Sequence, residues 1–401
     1  MPLRPQHPLP EPLRGIESGS FAEDTILVRM PRIGRQVLAE NELSPTAVSA
    51  MKTLLAEIPD GEIRPLPDTH APDAAAWNAA LQPYLSQNWL EPPWFVVETY
   101  FYRRIISAVD FFTTGIDPFA WQKQDSLHKT IDGIRAMTNQ VAHVLKDGWQ
   151  PQHFLTLLKQ DLWGNQVDLS LWSAEDRPAH DTTAQDAHLL VDDGTAVTDY
   201  LSSLDTPARR VDFIVDNAAF ELIGDLCLAD YLLSSNYVQQ VHLHLKMHPT
   251  FVSDATIQDV ENTIAFLKND ADSAAQAMGE RLARWGGNGR FHLNSHPFWT
   301  SPHPMWHMPE NLRQLLAKSH LVISKGDANY RRALGDAHWP YTTPFEDIVS
   351  YFPAPIVFLR ACKSNVIAGL QPNQPESLAE QDPNWLYNGK WGLLQFADHH
   401  N

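Results

Sequence analysis

The segment from Val211 to Leu233 constrains the chain more than any other. An apolar run, Val211 to Val215 with only Asp212 polar, stops at Asp216 and Asn217, and apolar residues then recur at helical spacing through AAFELIGDLCLADYLL. This is the pattern of a buried strand feeding a helix. Asp216 and Asn217 then stand at the carboxyl end of the strand, where open α/β sheets place their ligands. Glu221 falls four residues after Asn217, so the two share a helix face. Two carboxylates and an amide oxygen at one strand mouth suit a hard divalent cation such as magnesium or manganese.

The chain on either side of this segment differs in character. Residues 1–19 hold five prolines and few large apolar groups, which predicts a surface arm. Residues 20–175 read as an all-helical unit: Thr25 to Glu57 is helical, with Ser44 as a cap and Pro45 at the first position of the second helix. Ala74 to Gln82 follows, with Asp73 as a possible cap. WFVVETYFYRRIISAVDFF then predicts a buried helix whose Glu98, Arg103 and Arg104 either form salt bridges or line a cleft. Ser126 to Lys146 and His153 to Leu162 add two more helices. Residues 176–206 are polar and predict a linker with a helical piece around Gly194 to Leu204. From 207 to 401 short apolar strands alternate with helices, the signature of an α/β domain with a mostly parallel, Rossmann-like sheet flanked by helices.

Composition narrows the function classes. A net charge of -18 argues against a nucleic-acid partner held through its phosphates. Cys227 and Cys362 are the two cysteines, so neither a disulfide framework nor a zinc-cysteine array is expected. The proline-rich start lacks the apolar core of a signal peptide, and no run of about 18 apolar residues offers a membrane span. A cytoplasmic enzyme is the expectation, with its oligomeric state open.

Three further strand ends carry polar clusters. The strand Val241 to Leu245 ends in Lys246 and is followed by Ser253 and Asp254; Asp254 reads equally as a helix cap or as a ligand facing Asp216. The strand Leu321 to Ser324 leads into Lys325, Gly326, Asp327, Asn329, Tyr330, Arg331 and Arg332, and the strand Ile356 to Leu359 into Arg360 and Lys363. Acidic ligands beside lysines and arginines at the carboxyl ends of four strands point to a metal-assisted phosphomonoesterase. Asp216, Asn217 and Asp254 would take the metal, and Lys363, Arg331 and the backbone near Asp327 the phosphate. Asp327 or Glu221 would hold substrate hydroxyls or assist proton transfer. An aspartyl-phosphate route expects Asp-x-Asp after the first strand, whereas the chain has Asp216, Asn217, Ala218, so attack by water is favoured. A methyltransferase would usually show a glycine-rich first turn, which DNAAFE lacks.

Assembled, these pieces resemble the metal-dependent damage-control phosphatases, in the sugar-phosphate phosphatase subgroup also assigned as protein-glutamate O-methyltransferases. VDNAAFELIGDLCLADYLL, LHLKMHPTFVSDAT, ISKGDANYRRALGD and FLRACK carry the resemblance, and PWFVVETYFYRRI and TGIDPF extend it into the helical half. The resemblance implies metal ligation by Asp216, Asn217 and Asp254, which selects the ligand reading of Asp254. It also implies a substrate-binding segment from Asp327 to Arg331, taking in Asn329 and Tyr330, and a role for Lys363 as the lysine of an Arg-Thr-x-Lys motif. Glu221 matches a position tied to S-adenosylmethionine in the alternative, carboxyl-methyltransferase reading. Implied cofactors are manganese, magnesium, cobalt or nickel, and the implied substrates are small phosphorylated metabolites such as fructose 1-phosphate. One departure is visible: Ala361 stands where the motif has threonine, a loss of one hydrogen bond near the phosphate of about 1 kcal/mol.

Overall fold

A computed structural model describes residues 3–164, 187–204 and 210–398. Its centre is a seven-stranded sheet in the order β1-β7-β6-β5-β2-β3-β4. The strands are β1 Leu189–Asp192, β2 Arg210–Ile214, β3 Gln240–Leu245, β4 Phe291–Ser295, β5 Leu321–Lys325, β6 Ile356–Ala361 and β7 Gly392–Ala397. From β2 to β6 all neighbours pair in parallel, while β7 runs antiparallel to β6 and carries β1 parallel to itself. The α/β class, the mostly parallel sheet and the helical region before it are those expected from the sequence.

β2 and β5 are buried at every position, which is why both read as near-continuous apolar runs. From β2 the chain steps outward through β3 to β4, then returns to the other flank of β2 at β5 and continues to β6. That reversal leaves a crevice between the carboxyl ends of β2 and β5, the place where such sheets bind ligands. Two strands lie outside the sequence expectation. β7 follows the strand taken as last, and β1 falls inside 176–206, where a linker is predicted. Neither has a period of its own, since β1 is four residues long and Gln395 interrupts β7; each forms by adding to an edge that already exists.

The helix Phe220–Ser234 is buried continuously from Leu222 to Leu233. It is apolar nearly all round because it is enclosed by the helices Ile131–Val144, Pro151–Leu162 and Ser273–Gly287. The helices of 120–162 therefore share one core with the sheet. The elements between Ile26 and Phe119 enclose a separate apolar cluster around Trp77, Trp89 and Tyr100. The helix expected over Ser126 to Lys146 is broken at Thr130 into Ala120–Lys129 and Ile131–Val144. Ser44 caps as expected, its hydroxyl accepting from the Ala47 amide at 3.2 Å. Asp73 makes no cap bond and instead pairs with the buried Arg103 at 2.8 Å. Arg103 also reaches Asp68, and Arg104 reaches Glu57, so these salt bridges tie the helix Trp94–Ala108 to its neighbours. The amino-terminal arm lies across the surface, with bridges from Pro12 to Ala337 and from Arg14 to Pro93 around a buried Leu13. No helix among the described residues is long and apolar enough to cross a membrane.

Candidate active site

The crevice is a cleft partly open to solvent. Its floor comes from the strand ends and its roof from the helical region, through Phe21, Arg29, Trp94 and Glu98. After β2 the backbone continues as a short lattice with the loop beyond β3. Ala255 N–H donates to Asp216 O at 2.8 Å, Ala218 N–H donates to Ser253 O at 2.7 Å, and Asn217 bridges Asp254. This lacing brings Asp254 beside Asp216. Asp254 is not the cap of the following helix, because Thr256 takes that position in a capping box with Asp259.

The charges here are unbalanced in a particular way. Asp216 is buried, and among the described residues its carboxylate accepts no hydrogen bond. Burial raises its carboxyl well above the usual carboxylate range, and the neighbouring Asp254 adds to the rise. Asp254 is also raised by burial, against the pull of Lys246, whose ammonium lies 3.0 Å away and also donates to Val215 O. Asn217 is clamped, its Oδ1 accepting from the Ser253 hydroxyl at 2.6 Å and its Nδ2 donating to Glu221 at 2.7 Å. Two neighbouring carboxylates with one lysine, paired to Asp254, leave negative charge that a hard cation would satisfy, so this oxygen donor set fits a divalent metal. Among the described residues no group of three or more His, Cys, Asp or Glu side chains is arranged to hold a metal. The candidate set is two carboxylates and an amide.

Backbone strain concentrates at the same place. Ala219, Phe251 and Val252 have φ of 57°, 48° and 69°, a region costly for residues other than glycine, and a β-branched residue is rarest there. Gly326, at φ 85°, passes so close to Asp216 that an added Cβ would lie 1.8 Å from Oδ2. Only glycine fits this turn.

The helix Asp327–Leu334 divides the predicted substrate segment by its own period. Asp327 and Arg331, four residues apart, line the cleft. Asn329 and Tyr330 do not line it and point in different directions: Asn329 donates to Lys325 O at 2.8 Å, and the Tyr330 hydroxyl donates to Gln395 at 2.8 Å. Burial works against ionisation of Asp327, yet Arg360, Arg331 and the Ser364 hydroxyl outweigh it and hold the carboxyl below its usual range. Arg331 is already committed, bonded to Glu98 at 2.6 Å and to Asp336 at 2.7 Å, with its guanidinium 3.5 Å from the centre of the Trp94 ring. Lys325 is likewise held beneath the floor by Asp161 at 2.5 Å and Asp225 at 3.3 Å. Lys363 is exposed and has no carboxylate partner among the described residues, while Ala361 lines the wall beside it. The loop from Phe298 to Trp306 does not line the cleft; it wraps Arg332, which donates to the carbonyls of Phe298, Trp299, Ser301 and His303.

Sequence reasoning did not single out Arg29, Phe21, Phe251 or Asp161. Arg29 lies in a stretch read as helix, and the proline two residues later, Pro31, is the one local sign that the helix there is irregular.

Residues 25–378 match the family model of the damage-control phosphatase ARMT1-like domain. The chain is similar to proteins named damage-control phosphatase ARMT1: 34% identical to that of Mus musculus over 95% of this chain and 97% of the relative, and 33% identical to that of Danio rerio over 98% of each. The Homo sapiens protein of the same name is 31% identical over 97% of this chain and 98% of its own. A crystal structure of a DUF89 family protein from Pyrococcus horikoshii aligns at 15% identity over 85% of this chain and 91% of that one, with a TM-score of 0.44. With the family model and these near full-length relatives in agreement, the chain belongs to the ARMT1-like damage-control phosphatase family.

Proposed function

We propose that this protein is a divalent-metal-dependent phosphatase of small phosphorylated metabolites, chiefly sugar phosphates such as fructose 1-phosphate. The observation that carries the reading is the Asp216 carboxylate, which lines the cleft and accepts no hydrogen bond among the described residues, beside Asp254 and Asn217 at the switch point of the sheet. Asp216, Asn217 and Asp254 would hold the metal, with manganese, magnesium, cobalt or nickel as candidates. A divalent cation at these oxygens supplies charge neutralisation at the phosphoryl group and makes a bound water more acidic.

The chain's own residues do the rest. Lys246 keeps Asp254 oriented, and Ser253 keeps the Asn217 oxygen turned into the cleft. Lys363 attracts the phosphate and offsets the charge that builds on it as the ester bond breaks. Glu221, held by Asn217, and Asp327, held by Arg360, present carboxylate oxygens to substrate hydroxyls. Trp94, Phe21 and Leu162 give the cleft apolar walls that limit water.

The test is phosphate release from a panel of sugar phosphates and p-nitrophenyl phosphate, using chelator-stripped protein reloaded with one metal at a time. Metal-restored release that disappears in Asp216→Ala is the expected result. Release that is unchanged in Asp216→Ala, or absent with every metal and substrate, refutes the reading.

A further inference from the structure

Four cationic side chains line the cleft: Arg29, Lys325, Arg331 and Lys363. Two are already neutralised. Lys325 is enclosed by Asp161 and Asp225, and Arg331 by Glu98 and Asp336. Arg29 and Lys363 make no ion pair or side-chain hydrogen bond among the described residues. A phosphate monoester carries close to two negative charges near neutral pH, and Lys363 alone matches one of them.

We propose that Arg29 is a second phosphate-binding residue, presented from the helical roof so that the phosphoryl group sits between Arg29 and Lys363. The inference rests on the phosphatase reading above and deepens it. It moves to Arg29 a role that sequence alone gives to Arg331.

The local fold explains how Arg29 reaches the site. Thr25–Arg29 is a π-helical turn between the short helix Phe21–Asp24 and the helix Met30–Glu40, closed by a bond from Met30 N–H to Thr25 O. Such wide turns recur at functional positions. Phe21 and Arg29 are eight residues apart, which in an unbroken α-helix would leave them about 80° out of line. The wider turn lets both line the cleft. Thr25 and Ile26 are buried and anchor the turn, while Leu27 and Val28 face solvent. Pro31 comes two residues after Arg29, so the next helix lacks an N–H in its first turn.

Arg29 reaches the cleft from the helical roof and Lys363 from the segment that follows β6, so both border the cavity that Asp216 and Asn217 line. A guanidinium also offers a planar pair of donors that matches two phosphate oxygens, which an ammonium does not.

The experiment is calorimetric titration of the full chain with inorganic phosphate at fixed ionic strength, with and without manganese, for wild type, Arg29→Ala, Arg29→Gln and Arg29→Lys. KM and kcat for p-nitrophenyl phosphate and for one sugar phosphate are measured alongside, with thermal melts to verify folding. Arg29→Ala and Arg29→Gln are expected to weaken phosphate binding ten- to a hundredfold and to raise KM for both esters by a similar factor. Arg29→Lys is expected to recover part of the loss. Phosphate affinity within twofold of wild type in both neutral variants overturns the inference and leaves the phosphatase reading standing. A rise in KM for the sugar phosphate alone also overturns it, by assigning Arg29 to the leaving group. Wild-type protein that neither binds phosphate nor cleaves any ester removes the phosphatase reading, and this inference with it.

Discussion

Gly326→Ala isolates the most exacting contact in the cleft. Gly326 has φ 85° and ψ 167°, a region that essentially only glycine occupies, and its α-carbon faces the Asp216 carboxylate. A methyl there would lie 1.8 Å from Oδ2, 2.1 Å from Cγ and 2.7 Å from Cβ of Asp216. Real Cβ contacts essentially never fall below 3.0 Å, so Oδ2 must retreat by about 1.2 Å or the turn must open. The backbone adds its own cost, on the order of 1–3 kcal/mol for a non-glycine residue in that region. A displacement of about 1 Å in a positioned catalytic group costs on the order of a hundredfold in rate. The control is Gly289→Ala, which has φ 73° but nothing within 4 Å of the added methyl. Both variants are expected to lose thermal stability, and Gly326→Ala alone to lose roughly a hundredfold in kcat/KM for metal-supported phosphate release. Wild-type kcat/KM in a folded Gly326→Ala protein would falsify the claim that Asp216 must sit where this structure holds it.

Three further outcomes follow from the same structure. Lys325→Met leaves Asp161 and Asp225 buried without their cation, so a loss of about 3–5 kcal/mol in denaturant unfolding is expected, and an unchanged midpoint would contradict the pairing. Lys363→Ala removes an exposed side chain with no carboxylate partner among the described residues, so KM for phosphate esters should rise while the melting temperature stays within a degree or so of wild type. His248 is buried, and burial lowers its imidazole from 6.5 to about 4 although Asp73 lies 3.7 Å away. The unfolded chain takes up a proton near pH 6.5 that the folded chain refuses until about pH 4, so this stabilisation is complete above pH 6.5 and is lost as pH falls through that window. It amounts to at most about 3.5 kcal/mol. His248→Gln should flatten the stability-against-pH curve there, and a curve that keeps the wild-type slope would refute the assignment.

Much of this protein is determined by local sequence alone. β2, β3 and β5 are read directly because a strand buried on both faces must be apolar or internally paired: Asp212, the one polar residue from Val211 to Val215, pairs with Arg210 at 2.5 Å and with His244 at 2.8 Å. Asp216, Asn217 and Glu221 are legible for the same reason, since a strand that ends abruptly in polar groups and turns at once into a helix has a defined mouth. Tertiary structure decided the rest, because it depends on what each side chain meets across the fold. Asn329 and Tyr330 share a motif with Asp327 and Arg331, yet helical rotation sends the first pair to the strand ends and to Gln395, while the second pair lines the cleft. Arg331 has the charge to bind phosphate, but Glu98, more than two hundred residues earlier in the chain, already occupies it. Arg29 carries no motif at all and becomes part of the cleft only when a π turn and the docking of the amino-terminal helices bring it over the sheet. A residue's chemical type is local information; whether its charge is free or already paired is a property of the assembled chain.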